Sequence, residues 1–458
     1  MPTTRVSLEQ SNPSAGAVAG ALAPWGLLLT FFGVCGILVS FSFAKGQSGD
    51  FFHFYWAAKA MADGQDIYTS GHVGYIYPPL IAFVFQPLTL VGEMSAAWIW
   101  FFCGAALTLA SMLILVRTLN ERFRCGLDWT GVAWVAFLGL MLTADKVRWE
   151  LELGQTDSIL LLCLALALRW MDSKPILCGV ALGFAANVKY LSLVALPYLV
   201  VRGRWLAAAS TLASFVVFLY LPALGAGWTT NAGYVRRAFG GMVSMMGESK
   251  EREGVANVQP LTWLRSVSIP SFFARLLGEG SSRTGAMALA AATGLAILAG
   301  AWAIYARAGI ELWRAGQDRA ERWLPRAGAV ALEWAGIVVV ALTFSPQTTT
   351  RHMYLLLVPH AVAAMLLLVP RRGVSRVPVV LAMGLMLAAL NLPPGGAGMD
   401  EAVAWWRRIS GPGWCALASY LLLLWTGLHY ARAAAEERKV VMRPGEPTSR
   451  RVGLTGAV

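Results

Sequence analysis

The chain has 458 residues, 57% of them hydrophobic and 14% charged, with a mean hydropathy of +0.58. Soluble domains carry about 45–50% apolar and about 25% charged residues, so an ordinary cytosolic enzyme, a disordered chain and a fibrous one are excluded. In so apolar a chain, the net charge of +12 points to basic loops facing anionic lipid before it points to nucleic acid.

Residues 1–22 read as a polar, disordered tail. Twelve membrane-crossing segments follow, at roughly 24–43, 96–116, 129–145, 156–171, 175–188, 190–201, 206–222, 286–305, 329–345, 353–369, 376–392 and 414–431. The runs do not alternate as the ~10-residue strands of a membrane barrel would. The expected fold is therefore all-α, a polytopic transmembrane bundle of about 12 helices. Segments 175–188 and 190–201 are short enough to form a hairpin that stops within the membrane. Residues 78–91, bracketed by Pro78, Pro79 and Pro87, read as a short helix or re-entrant element. The 223–285 loop is expected to hold short juxtamembrane helices. Residues 23–431 form one transmembrane unit in this reading, and 432–458 a basic cytoplasmic tail. The first apolar run flows into structured sequence, so no cleaved signal peptide is expected.

Lys and Arg divide unevenly over this layout. With the N-terminus inside, the inner loops and tails hold 22, against 8 on the outer side outside the long 223–285 loop. Asp50, His53, Arg148, Gln155, Lys189, Arg351 and His352 then share the outer face.

The polar chemistry sits in a few stretches. Gly49-Asp50-Phe51-Phe52-His53-Phe54-Tyr55-Trp56 follows the first segment. Asp50 there is an N-cap for an aromatic helix, a general base at the lipid–water boundary, or both. Tyr75-Ile76-Tyr77-Pro78-Pro79 stops one element and starts another with proline in its first turn. Arg148-Trp149-Glu150-Leu151-Glu152-Leu153-Gly154-Gln155-Thr156-Asp157 opens a membrane helix with a Gly-Gln step. That step either offers donors to an anion or simply caps a helix behind a solvated loop. Asp157, one turn into the span, needs a partner such as Lys189 or Arg148. Lys189, between two apolar runs, either snorkels to the interface or faces a polar cavity, where its point charge would suit a phosphate. The loops at 255–265 and 345–354 enter spans. The second brings Arg351 and His352 to a phosphate or sugar, or serves as an interfacial anchor.

The histidines (His53, His72, His352, His360 and His429) have no paired ligand spacing, and the six cysteines show neither zinc nor disulfide spacing. No metal is expected. There is no phosphate loop, serine-hydrolase elbow or dinucleotide fingerprint, so no cofactor is expected either. An activated donor that is itself a lipid fits better.

In order and spacing these stretches resemble glycosyltransferase family 87, a branch of the GT-C membrane glycosyltransferases. The resemblance runs from about Asp50 to about Pro359. It rests on Asp50 with Tyr55 and Gly64-Gln65-Asp66-Ile67-Tyr68, and on Tyr77-Pro78-Pro79 with Gln86-Pro87-Leu88. Gly154-Gln155, Lys189, Asn257-Val258-Gln259-Pro260-Leu261, and Ser345-Pro346 followed by His352 complete it. The chain departs from the family pattern twice. Asn-Gln-Ser-Leu is replaced by the 257–261 stretch, and Gly-Gln-x-Asn by Gly154-Gln155-Thr156-Asp157.

The resemblance implies a GT-C bundle and a polyprenyl-phosphate sugar donor, often the mannose form. It implies a glycolipid or envelope-glycan acceptor at the outer face of a bacterial cytoplasmic membrane, and it maps the catalytic carboxylate onto Asp50. The chemistry agrees. A single inverting displacement needs one base for the acceptor hydroxyl, and the leaving lipid phosphate needs cations or donors near its growing charge. Lys189, His352 and Arg351 are candidates for that role, with Arg148, Gln155, His53 and Tyr77 as further phosphate or substrate contacts. The bilayer is the remaining partner, and no nucleic acid is implied.

The competing reading is a transporter or flippase of lipid-linked sugars. Against it stand the absence of detectable inverted sequence repeats and the gathering of polar residues at one face rather than the midplane. A purely structural membrane subunit would not need that gathering.

Overall fold

The computed structural model describes residues 15–46, 49–70, 75–246, 259–278, 283–310, 323–346, 348–391 and 398–441. Most of both expected tails, and His72, Asn257, Val258 and Gln347, lie outside the described residues.

All twelve expected segments fall on helix, and the described residues contain no β-strand, only one bridge between Ser266 and Thr349. By length and composition five helices can each cross a membrane: Gly20–Ala44, Glu93–Phe123, Trp205–Ala226, Arg283–Ala308 and Arg326–Phe344. Counting two bent pairs as one span each raises this to seven. Pro175–Val188, Tyr190–Val201, His352–Leu368 and Val377–Asn391 are shorter apolar helices. The chain is a polytopic helical membrane protein.

The Leu357–Leu368 helix is apolar all round and buried from Leu357 to Leu366, so it forms the centre of the bundle. The Arg283–Ala308 helix instead turns Leu295, Leu298 and Trp302 outward. Without a bilayer such a surface would be an aggregation hazard.

Some boundaries differ from the sequence reading. The first helix begins at Ala15 and carries Pro24 inside it, so part of the expected tail is helical. Residues 144–153 form a helix rather than a loop. It turns 77° from Trp129–Leu142 at Thr143 and lies across the end of the bundle. Its polar sequence conceals a helical period, since Lys146, Val147, Glu150 and Leu151 are the buried face. Residues 78–91 are a short helix, Leu80–Val84, followed by a 3₁₀ turn, Gln86–Leu90. The 223–285 loop carries the Trp228–Met246 and Ile269–Leu277 helices.

The two ends of the bundle are separately knit. At one end Arg122 and Arg204 both bind Asp172, and Arg371 reaches the Phe123 carbonyl at 2.9 Å. At the other, Arg275 ties the carbonyls of Trp263, Ser266, Arg407 and Arg408 into one layer.

Candidate active site

Asp50 ends the turn that precedes the Phe51–Ala62 helix. Its side chain makes no capping bond, so the N-cap reading does not account for it. Instead Oδ2 accepts from Arg351 Nη1 at 2.8 Å and from Gln155 Nε2. Oδ1 has no hydrogen-bond partner among the described contacts.

Two glycines bring Asp50 and Gln155 together. Gly49 has φ +62° and Gly154 φ +61°, a region L side chains avoid. A Cβ on Gly49 would stand 2.6 Å from Leu153 Cα, and one on Gly154 would stand 2.6 Å from Phe51 Cβ. The Leu153 backbone and the Phe51 side chain therefore fill the space that side chains at Gly49 and Gly154 would need. Trp100 Nε1 lies 3.1 Å from the Gly154 carbonyl and clamps the turn from the Glu93–Phe123 helix.

Behind Gln155 lies Lys189. Its Nζ donates to Gln155 Oε1 at 3.3 Å and pairs with Asp157 Oδ1 at 2.6 Å. The lysine faces a polar site and does not snorkel, and the partner needed by Asp157 is Lys189. The ammonium also stands 5.8 Å over the Tyr77 ring. Tyr77 stacks on Phe54 at 5.4 Å. The Gln65-Asp66 stretch is held against the Trp228–Met246 helix, where Tyr234 donates to the Gln65 carbonyl at 2.9 Å and Arg237 pairs with Asp66.

The residues just after the 255–265 loop meet the 345–354 loop. Val267 N donates to the Thr348 carbonyl at 2.9 Å, and Ser266 Oγ to the Pro346 carbonyl at 2.8 Å. This turn presents Arg351 and His352. Thr349 N donates to His352 Nδ1 at 3.1 Å. Desolvation, and next the charge of Lys189, hold the imidazole down at about 4, so it is neutral near pH 7. With Nδ1 accepting, the assigned tautomer carries its proton on Nε2. His352 thus offers a hydrogen bond rather than a charge. Burial also lowers His53, against the opposing pull of Asp50.

A cavity of about 200 Å³ opens over these groups, lined by Asp50, His53, Tyr77, Gln155 and Arg351 together with Phe54 and Ile76. Five of the eight residues singled out from the sequence thus share one cavity. Lys189 backs it through Gln155, and His352 adjoins it beside Arg351. Arg148 does not line it. That guanidinium pairs with Glu152 and with Asp145 on its own helix, and Glu152 also takes Ser42 Oγ at 2.6 Å. Trp100, Asp157 and Thr349 also act on the site. Only Asp157 had a readable signal, a carboxylate in an apolar helix.

Such a constellation suits removal of a proton by Asp50 beside a group whose negative charge Arg351 and His352 can meet. The family described as glycosyltransferase family 87 matches residues 75–331. That region holds Tyr77, Arg148, Gln155 and Lys189, whereas Asp50 and His53 precede it and Arg351 and His352 follow it. A polyprenol-phosphate-mannose-dependent alpha-(1-2)-phosphatidylinositol pentamannoside mannosyltransferase of Mycobacterium tuberculosis is 27% identical over 252 residues, 54% of this chain and 50% of that protein. Its namesake from Mycolicibacterium smegmatis is 27% identical over 170 residues, 36% of this chain and 37% of that protein. The chain thus spans half or less of the length of these curated relatives.

Proposed function

Because the chain belongs to glycosyltransferase family 87, we propose that it is a membrane glycosyltransferase that moves mannose from a polyprenyl-phosphate donor to a glycolipid or envelope-glycan acceptor. The transfer is a single inverting displacement at the outer face of a bacterial cytoplasmic membrane. Asp50 Oδ1 takes the acceptor hydroxyl's proton as that oxygen attacks the anomeric carbon. The bond to the lipid phosphate breaks with its electron pair on the phosphate. Arg351 and the Nε2–H of His352 meet that growing charge, with Lys189 close behind. The prenyl chain lies along the outward apolar helix faces.

The donor follows the names of the two relatives, and the acceptor class follows their phosphatidylinositol mannoside. The observation that carries the reading is the Asp50 carboxylate, which binds an arginine and lines a cavity. That volume is of the order of a single sugar.

The test is sugar transfer by purified protein in nanodiscs, with radiolabelled polyprenyl-phosphate mannose and a crude membrane lipid extract. Wild type transfers label, and Asp50→Asn loses about 10²–10⁴-fold, the usual worth of a general base. Transfer retained in the variant removes Asp50 as base. No transfer by folded wild type from any polyprenyl-phosphate sugar overturns the enzyme and favours a transporter.

A further inference from the structure

The two ends of a glutamine amide are alike in shape and are distinguished only by their partners. Gln155 Nε2 faces Asp50 Oδ2, which only accepts. Gln155 Oε1 faces the Lys189 ammonium, which only donates. Turning the amide over would set oxygen against carboxylate and nitrogen against ammonium. Lys189 therefore dictates which end Asp50 meets.

What holds Lys189 is Asp157, at 2.6 Å, with side-chain exposures of 9% and 2% for lysine and aspartate. A lysine left alone in such a place would lose much of its charge or move. Asp157 stands at the first residue of the Asp157–Trp170 helix, where a negative charge is favoured and the backbone is fixed. It lies two residues beyond Gln155, so the same segment carries the amide and the anchor of the lysine that orients it.

We propose that Asp157 is a positioning residue for the transfer reaction: through Lys189 it keeps the Gln155 amide turned toward Asp50 and so sets the carboxylate that takes the acceptor's proton. This rests on the function proposed above, and it goes beyond that function by extending the working site to a carboxylate outside the cavity. The chain runs from the Asp157–Lys189 ion pair through the Lys189–Gln155 and Gln155–Asp50 hydrogen bonds, alternating negative and positive or acceptor and donor groups. Arg351 binds Asp50 independently, so it does not replace the amide's directing effect. The other titratable groups that face this chain are His53, Tyr77, His352 and Glu150.

The test uses the full chain in nanodiscs at saturating donor. Asp157→Asn is expected to lower kcat about tenfold or more, as misplaced reacting groups do, with acceptor KM near the wild-type value. Combined with Gln155→Leu it should add little further loss, since both act on one contact. Because Asp157→Asn also changes the local charge, a neutral replacement of the pair supplies the pH readout. Asp157→Leu with Lys189→Met leaves net charge unchanged and packs apolar groups in place of the ions, an exchange that proteins tolerate. Loss of the oriented donor should move the acidic limb of the kcat/KM profile to higher pH.

A limb that stays in place while the rate falls equally at every pH would reduce Asp157 to a fold-holding role and overturn the proposal. Full additivity of Asp157→Asn with Gln155→Leu, or wild-type transfer by the paired variant, would do the same. Failure of the wild type itself to transfer sugar would overturn the proposed function instead, and the unaltered protein alone reveals that.

Discussion

Two of the arginine-bound carboxylates in this bundle, Glu333 and Asp50, are built differently. Glu333 on the Trp323–Phe344 helix takes Tyr198 Oη at 2.9 Å, Tyr305 Oη at 2.6 Å and Arg202 Nε at 3.0 Å, so both its oxygens are engaged. Its side chain is 11% exposed. Asp50 is 30% exposed, crowds both its bonds onto Oδ2 and lines a cavity. A carboxylate whose lone pairs are all occupied holds helices together. One that keeps a lone pair facing a cavity can take a proton. An arginine partner is common to both, so it does not by itself mark a working site; what differs is that both bonds to Asp50 fall on one oxygen and that it lines a cavity.

The largest expected effects would break this comparison if they failed to separate. Asp50→Asn should remove transfer while leaving the thermal midpoint near wild type. Glu333→Ala removes a shared partner of half-buried Arg202 and two tyrosines, and should cost about 3 kcal/mol of stability, seen as a lower midpoint. Transfer per folded molecule should persist, because Glu333 touches nothing in the cavity. A Glu333 variant that is stable but inactive would show that the closed cluster also serves the reaction.

A smaller effect belongs to the junction. Gly154→Ala forces a Cβ against Phe51 at a left-handed φ and should cost about 1–3 kcal/mol. Phe51 adjoins Asp50, so the strain should also lower kcat, with donor KM little changed. A variant of full activity would mean that the two glycines set the fold without setting the carboxylate.

The helices were legible because the bilayer demands long apolar runs, and each such run is a helix. The Ala144–Leu153 helix was missed because its composition is that of a loop, although its buried residues recur at helical spacing. At the site, Asp50, Gln155 and Arg351 stood out as polar residues at the edges of apolar runs, and they converge. Pairing was partly legible. Asp157 called for Lys189 or Arg148, and Lys189 holds it, a contact across 32 residues. Arg148 carried a readable warning. Asp145 three residues before it and Glu152 four after it are the spacings at which helical side chains meet, and they bind it. Trp100 gave no local sign, since a tryptophan inside a span is ordinarily a packing or interface residue.

The smallest expected effect sharpens the comparison through pH, because the Glu333 cluster contains no imidazole and the Asp50 site has two. Folding holds His352 down at about 4, by desolvation first and the Lys189 charge second, while an unfolded imidazole titrates near 6.5. Between those values the unfolded chain binds a proton that the folded chain refuses. The stabilising contribution of neutral His352 is therefore complete above about pH 6.5 and declines as pH falls toward 4. His53, also lowered by burial, acts in the same direction. Wild type should thus show a lower thermal midpoint at pH 5.5 than at pH 7.5, and His352→Gln should flatten the difference without removing it. Since carboxylates elsewhere titrate in both proteins, the change of slope is the informative quantity. Parallel slopes would mean that His352 takes up its proton alike in the folded and unfolded chains. It would then serve the leaving phosphate as a cation beside Arg351 only below about pH 6.5, and its burial would not be what keeps it a neutral donor.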